Sequence, residues 1–193
     1  MYHCSTGHDI SLALRIFSRH DVDAKTKFNL HQGIDSTLLI LKYRLKANEK
    51  RPEIKIIKDY GNIPEIECYP GQINQVFMNI LANAIDALDE ANQDKHYTEL
   101  QKNPNRIIIK TQLKEKEVFV SITDNGKGMS EEIKAKIFNQ GFTTKKVTQG
   151  TGLGMAISRQ IIEEKHGGAI ACQSELDKGT QFTISLPLYP LEN

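Results

Sequence analysis

The distribution of apolar residues along the chain predicts four helices. The clearest is a helix from about Gly71 to Glu90, because apolar residues recur on one face throughout its length. A second amphipathic helix is predicted from Gln32 to Lys46, after a short strand at residues 28–30. Two further helices are predicted, one from Ser130 to Phe138 and one from about Thr151 to His166.

Strands are predicted where apolar and polar residues alternate. The segments RIIIKTQ (106–112) and EVFVSIT (117–123) are separated by a short charged turn and predict a hairpin with one buried face. Further strands are predicted at 53–58, 169–174 and 180–187, whereas 92–105 is predicted to be a loop. Adjacent strand pairs mixed with helices predict an α/β fold, with a mixed sheet covered by helices and not a doubly wound parallel sheet.

Composition and charge narrow the function. The chain has 193 residues, of which 39% are hydrophobic, so it is expected to form one globular domain with a short appendage. A net charge of +1 gives no general attraction to nucleic acid or anionic lipid, so phosphate binding has to be local. The three cysteines lack metal-type spacing, and no apolar run reaches the roughly 20 residues that span a bilayer. We therefore expect a soluble, cytoplasmic domain that itself contacts neither nucleic acid nor membrane, either on its own or as the cytoplasmic part of a membrane-anchored protein.

Two asparagines stand out on the long helix. Asn79 and Asn83 lie one turn apart, and Asp86 follows on the polar side. A solvent-facing helix surface would account for such residues, but Asn is a mediocre helix former that this surface does not require. An amide oxygen can bind Mg²⁺ without adding negative charge near phosphates. Asn83, nearest the apolar stripe, is the better candidate to line a pocket.

The turn DNGKGM, residues 124–129, follows a buried strand. Asp-Asn-Gly is an ordinary turn sequence, so the segment could simply end the strand. Alternatively, the Asp124 carboxylate could accept a hydrogen bond from the exocyclic amine of adenine, while Gly126 and Gly128 let the backbone pass close to the base. Guanine presents a carbonyl at that edge, so the carboxylate would favour adenine.

A third candidate segment is GTGLG, residues 150–154, at a predicted helix start. Unpaired amides at a helix N-terminus bind phosphates, and glycines keep the approach open. The spacing matches neither a Walker loop nor a dinucleotide fingerprint. The preceding loop, about 139–149, is either a solvated loop or a lid in which Lys145 reaches a triphosphate.

Together, four segments resemble the N, G1, F and G2 boxes of one ATP-binding superfamily. They are QVFMNILANAIDAL, DNGKGM, IFNQGFTTK and GTGLGMA, in that order, and the likeness covers roughly residues 28–190. The superfamily contains gyrase-type ATPases, MutL, a heat-shock chaperone and sensor histidine kinases. The resemblance implies a Bergerat-type two-layer sandwich, with helices on one face of the sheet, and the cofactors ATP and Mg²⁺. It implies a nucleotide site built from Asn79, Asn83, Asp86, Asp124, Gly126, Gly128, Met129, Phe142, Thr143, Thr144, Lys145, Gly150, Thr151, Gly152, Leu153, Gly154, Met155 and Thr180.

The resemblance also implies individual roles. Asn83 and Asn79 would hold Mg²⁺ through ATP, Asp124 would hold the adenine amine, and Thr180 would support the adenine end. Asn79 and Lys145 are the catalytic candidates. Hydrolases of the superfamily have Glu at the position of Asn79, and an amide cannot take a proton from water. This substitution favours phosphoryl transfer to a protein over hydrolysis, as in bacterial histidine kinases.

The acceptor histidine is not recognisable in the chain. His8 lacks the sequence context of a phosphorylated histidine, and the other histidines, including His166, are expected at the surface or in loops. Residues 1–27 are interpreted as the end of a dimerisation-hairpin helix plus a linker, and 191–193 as a tail. The expected partners are a phosphoacceptor hairpin and a response-regulator receiver domain. Two alternatives remain open: a nucleotide-binding regulatory module and an anti-sigma-type Ser/Thr kinase.

Overall fold

A computed structural model describes residues 24–92, 96–143 and 152–188. Several predictions concern residues outside these ranges. They are the ones for His8, Thr144, Lys145, Gly150, Thr151 and the tail at 191–193.

Five strands form the main sheet, and two short strands pair separately. The main sheet has the order β2-β4-β5-β7-β6, in which β2 runs parallel to β4 and the remaining neighbours are antiparallel. β5 lies at the centre, between β4 and β7. The strands are β1 (Thr26–Phe28), β2 (Lys55–Tyr60), β3 (Ile66–Cys68), β4 (Arg106–Lys114), β5 (Glu117–Asp124), β6 (Ala169–Glu175) and β7 (Gly179–Pro187).

The helices include one that dominates the fold. α3 has 22 residues and begins with Pro70 in its first turn, where a missing N–H costs nothing. The helices are α1 (Leu30–Ile40), α2 (Lys42–Leu45), α3 (Pro70–Ala91), α4 (Tyr97–Lys102), α5 (Glu131–Lys136) and α6 (Gly154–Gln160), the last continued by a π-helical turn at Ile161–Lys165. In the described ranges, no helix is long and apolar enough to cross a membrane.

The core lies between α3 and the sheet. Phe77 and Leu81 of α3 are fully buried, and α3 also packs against α1 and α6. In β5 the residues facing this core, Val118 and Val120, alternate with half-buried Phe119. The predicted mixed sheet with its helical layer is confirmed, because alternation on the strands and the apolar stripe on α3 bury the same interface.

Short elements were predicted less well. The strand placed at 28–30 lies at Thr26–Phe28, and α1 begins at Leu30 because the Asn29 side chain caps it by accepting the Gln32 N–H. β1 therefore begins within the segment interpreted as a linker. Its partner β3 was not predicted, and α4 occupies part of the predicted loop at 92–105. Three-residue strands and single-turn helices are too short for a periodic signal.

His166 corrects another expectation, since it is buried and not a surface or loop residue. Its Nδ1 lies 2.7 Å from the Ile161 carbonyl oxygen, and the Tyr69 N–H donates to its Nε2 at 3.1 Å. These two contacts fit the neutral tautomer with hydrogen on Nδ1, and burial lowers the His166 pKa. The ring thus joins the end of the π-helical turn to the start of α3.

Candidate functional site

A cavity of about 370 Å³ opens beside the C-terminal half of α3, a volume typical of small-molecule sites. Its walls come from α3, the turn after β5, helix α5, the start of α6 and strand β7. The structure thereby brings together segments that are separated by about a hundred positions in sequence. The predicted residues that line the cavity are Asn83, Asp86, Asp124, Gly128, Met129, Phe142, Thr143, Gly152, Gly154, Met155 and Thr180.

Asp124 is the buried acid of this cavity. It is the last residue of β5, opposite Thr180 of β7 and Ile107 of β4, and only 5% of it is exposed. Burial raises its pKa from 3.8 to about 6, against the opposing effect of N–H groups from Gly126, Thr180 and Asp124 itself. The Gly126 N–H donates to Oδ1 at 2.8 Å. This fixed carboxylate can accept further hydrogen bonds from a ligand.

The turn after Asp124 is held against α3. A Cβ at Gly126 would lie 2.8 Å from the Ala87 carbonyl carbon, and the Lys127 N–H donates to the Ala87 carbonyl oxygen at 3.3 Å. Gly128 has a φ of +66°, and a Cβ there would lie 1.9 Å from the Glu175 carbonyl oxygen. Both glycines are therefore required by close backbone packing, and Gly126 shapes the site from behind without lining the cavity.

One face of α3 supplies polar groups to the cavity wall. Asn83, Asp86 and Glu90 all line it, one helical turn apart. Two of them form ion pairs with other elements: Arg44 of α2 lies 2.5 Å from Asp86 Oδ1, and Lys127 lies 3.3 Å from Glu90 Oε2. The Asn83 amide can offer an oxygen ligand to a cation in this wall.

Asn79 is placed differently from Asn83 and does not line the cavity. Its Nδ2 donates to the Gly154 carbonyl oxygen at 2.9 Å and to Ser158 Oγ at 3.1 Å. Ser158 Oγ in turn donates to the same carbonyl at 2.8 Å. Asn79 therefore ties α3 to the first turn of α6, and its amide has no basicity with which to activate water.

The start of α6 packs against the segment that follows α5, at Gly141. Gly152 has a φ of +66°, and a Cβ there would lie 2.6 Å from the Gly141 carbonyl carbon. The Gly141 N–H donates to the Gly152 carbonyl oxygen at 3.1 Å. Leu153, although predicted in the site, is 37% exposed and lies outside the cavity lining. Gly154 then begins the helix directly beside Asn79.

Sequence reasoning missed part of the apolar wall and two charged residues. A flat apolar surface suits a stacked aromatic base, but single apolar residues on different elements give no sequence signal until the elements meet. Lys127 is the one basic residue of the DNGKGM segment, and this feature of the sequence could have identified it. The missed lining residues are Ala84, Ala87, Glu90, Lys127, Ile133, Ile137 and Phe182.

Comparison with protein families decides the classification. The profile of the family described as "Histidine kinase-, DNA gyrase B-, and HSP90-like ATPase" matches residues 69–190, more than half of the chain. The chain belongs to this ATPase family. The matched region contains α3, the DNGKGM turn and α6, so the family's segments are the ones that build the cavity.

Within the family, the chain is similar to sensor histidine kinases. It is 35% identical over 157 residues to Sporulation kinase E of Bacillus subtilis (strain 168), covering 81% of this chain and 19% of that kinase. The solved catalytic domain of histidine kinase ThkA has 30% sequence identity and a TM-score of 0.68, covering 86% of this chain and 97% of that domain. A solved complex of ThkA with the response regulator protein TrrA has 25% identity and a TM-score of 0.65, covering 95% of this chain and 48% of ThkA. The predicted catalytic, ATP-binding domain and its fold are thus confirmed.

Proposed function

We propose that the cavity binds Mg-ATP and presents its γ-phosphate to a histidine on a separate dimerisation hairpin. The observation that carries the proposal is the fixed Asp124 carboxylate, 5% exposed, on the wall of a cavity that also contains Asn83. Adenine would donate its exocyclic amine to Asp124 and lie against Met129 and Ile137, while the phosphates would extend toward Gly152 and Gly154.

The donor set fits magnesium held jointly by the protein and the nucleotide. Within the described ranges, no cluster of three or more His, Cys, Asp or Glu residues could hold a metal alone. The Asn83 amide oxygen could provide a protein ligand, with phosphate oxygens and water completing the shell. Bound there, Mg²⁺ would neutralise the phosphates during transfer. We propose that Lys145 and Thr144 also contact the phosphate end of the nucleotide.

Asn79 argues for transfer to a protein and against hydrolysis. Its Nδ2 is committed to the Gly154 carbonyl and Ser158, and an amide cannot deprotonate water. The Asn79 contact also holds the start of α6, where phosphates would bind helix amides. We therefore propose that Asn79 acts mainly by positioning that helix, with metal contact through ATP as the second role.

The partners follow from the kinase relatives. The chain spans about a fifth of the length of Sporulation kinase E, so the acceptor hairpin and the receiver domain are proposed as partners of the whole protein. ThkA, one of the similar kinases, forms a complex with a response regulator protein. We accordingly propose that a response-regulator receiver domain in the cytoplasm is the next component in the signalling pathway.

Phosphoryl transfer is the direct test of this function. The chain is mixed with a separately produced hairpin domain carrying the acceptor histidine, together with radiolabelled ATP and Mg²⁺. The expected product is acid-labile, base-stable phosphate on the hairpin, with slow release of free phosphate. Binding of ATP without any labelled hairpin would support a regulatory module instead, and acid-stable phosphate would support a Ser/Thr kinase.

Asn83→Ala tests the metal ligand. We expect this variant to bind Mg-ATP roughly tenfold more weakly, because one cation ligand is lost, while metal-free ATP binds within about twofold of the original affinity. Isothermal titration calorimetry with and without Mg²⁺ measures both. Gln75→Ala is the matched control, since Gln75 is a half-buried amide on α3 outside the cavity lining. Equal losses for the two forms of ATP would show that Asn83 is not a metal ligand.

A further inference from the structure

The charges on the cavity wall are poorly suited to a polyphosphate. Among the described residues that line it, the ionisable acids and bases are Asp86, Glu90, Asp124 and Lys127. Three of these four are acids, and Lys127 already pairs with Glu90 at 3.3 Å. A triphosphate adds several negative charges, so acids in this wall would repel it unless cations nearby balance them. A further positive charge beside the described wall would therefore favour the binding of a polyphosphate.

Arg44 is in the right place to supply that charge. Its Nη2 donates to Asp86 Oδ1 at 2.5 Å, although the two residues are 42 positions apart in sequence. Asp86 lines the cavity and its side chain is 31% exposed, and Arg44, 42% exposed, contacts it from just outside the lining, which places Arg44 at the rim. A guanidinium has five N–H donors in a fixed plane, and it can bind a carboxylate and a second anion together.

The backbone of Arg44 is fixed by a second, buried arginine. Arg51 is 2% exposed, and its guanidinium donates to the Arg44 carbonyl oxygen and, at 3.0 Å, to the Lys46 carbonyl oxygen. Its Nε donates to Asp89 of α3 at 2.5 Å. Because these acceptors hold the buried charge, the end of α2 is fastened to α3 beside the cavity. Arg44 therefore projects from a fixed position.

We infer that Arg44 is a phosphate-binding cation of this site, held at the cavity rim by Asp86 and shared between that carboxylate and the polyphosphate of the nucleotide. The inference rests on the proposed function, since it requires a nucleotide in the cavity. Arg44 compensates Asp86 before binding and contacts phosphate after it. The affinity for ATP therefore depends on Arg44, whereas the affinity for adenosine, which lacks phosphate, does not.

Arg44→Gln tests this assignment by calorimetry with Mg-ATP and with adenosine. We expect ATP to bind about tenfold more weakly and adenosine to bind within about twofold of the original affinity. Arg44→Lys should lose less ATP affinity than Arg44→Gln, about threefold, because it keeps the charge but not the planar set of N–H donors. The double variant Arg44→Gln with Asp86→Asn should recover only part of the lost ATP affinity, because the repulsion by the carboxylate is removed but the phosphate contact of Arg44 is still missing. Full recovery would overturn the phosphate contact.

Lys58→Gln is the matched control. Lys58 is also 42% exposed and pairs with an acid, Asp35, at 2.7 Å, but Asp35 does not line the cavity, whereas Asp86 does. Unchanged ATP binding in this variant would show that the effect of Arg44 is local. Equal weakening by both variants would overturn the inference, because a general charge effect would then suffice.

Three further outcomes separate this inference from the proposed function. Normal ATP binding by Arg44→Gln would overturn the role of Arg44 and leave the nucleotide site standing. Equal losses for ATP and adenosine in that variant would also overturn it, because the arginine would then only maintain the fold. Failure of the unaltered protein to bind ATP would refute the proposed function itself, and the role of Arg44 with it.

Discussion

Asp124→Asn is expected to weaken ATP binding by roughly 100-fold or more, because the variant replaces a charged acceptor at the base edge by an amide whose NH₂ group faces the donor amine. The fold should survive, since an amide oxygen can still accept the Gly126 N–H. Calorimetry measures the affinity, and circular dichroism verifies the fold. Asp59→Asn, the same change at an exposed carboxylate on β2, is the control and should bind ATP normally.

The same residue should make binding and stability depend on pH in opposite directions. Ionised Asp124 is the acceptor, so adenosine affinity should fall about tenfold per pH unit below about 6, the pKa of this carboxyl. Its pKa is higher in the folded than in the unfolded chain, so the folded state binds more protons between about 4 and 6. Its contribution to stability is therefore present at low pH and is lost as the pH rises through about 6.

Thermal unfolding can test whether the contribution of Asp124 to stability falls as the pH rises. Ionising Asp124 in the folded protein costs up to roughly 3 kcal/mol, so Asp124→Asn should gain stability relative to the unaltered protein between pH 5 and pH 7.5. For the measurement of affinity against pH, adenosine is the suitable ligand because it has no phosphate that titrates between about pH 5 and pH 7.5. If the difference in stability between Asp124→Asn and the unaltered protein stayed constant with pH, burial would not raise the pKa of Asp124.

Gly128→Ala is expected to lower the free energy of unfolding by roughly 3–5 kcal/mol and to remove nucleotide binding. Two effects add: the residue has a φ of +66°, and its Cβ would lie 1.9 Å from the Glu175 carbonyl oxygen. The backbone at Glu175 cannot retreat easily, because it belongs to β6 and pairs with Gly179 of β7. Denaturant unfolding and ATP titration measure the two losses.

Gly141→Ala is the matched control for this change. Gly141 has a φ of +77°, yet nothing lies within 4 Å of a Cβ built there. Its substitution adds only conformational strain, about 1 kcal/mol. Similar destabilisation by both substitutions would mean that the left-handed backbone alone matters and that the close approach to Glu175 does not.

The sequence was sufficient to predict the features that repeat or cluster locally. The 22-residue α3 has enough turns for its apolar stripe to be unmistakable, and the hairpin of β4 and β5 alternates over its whole length. Asp124, Gly128 and Thr180 are assigned to one site by the resemblance to the ATP-binding superfamily. They do meet at one cavity in the structure.

Features that depend on long-range contact could not be predicted. The pairing of Arg44 with Asp86, and that of Lys127 with Glu90, joins residues 42 and 37 positions apart. No periodicity marks such pairs, because they arise only when α2 or the turn after β5 packs against α3. The position of Asn79 is similar: the sequence shows a polar residue on α3, but only the structure shows its Nδ2 directed at α6.

The location of Asp124 at the end of the central strand has a consequence for how a ligand is received. β5 is hydrogen-bonded on both sides, to β4 and to β7, and Asp124 takes part in both ladders. Its backbone is therefore held between two neighbouring strands, in a position that ligand binding does not need to create. If the proposed function holds, an incoming adenine would meet a preformed acceptor and would lose little affinity to organising it.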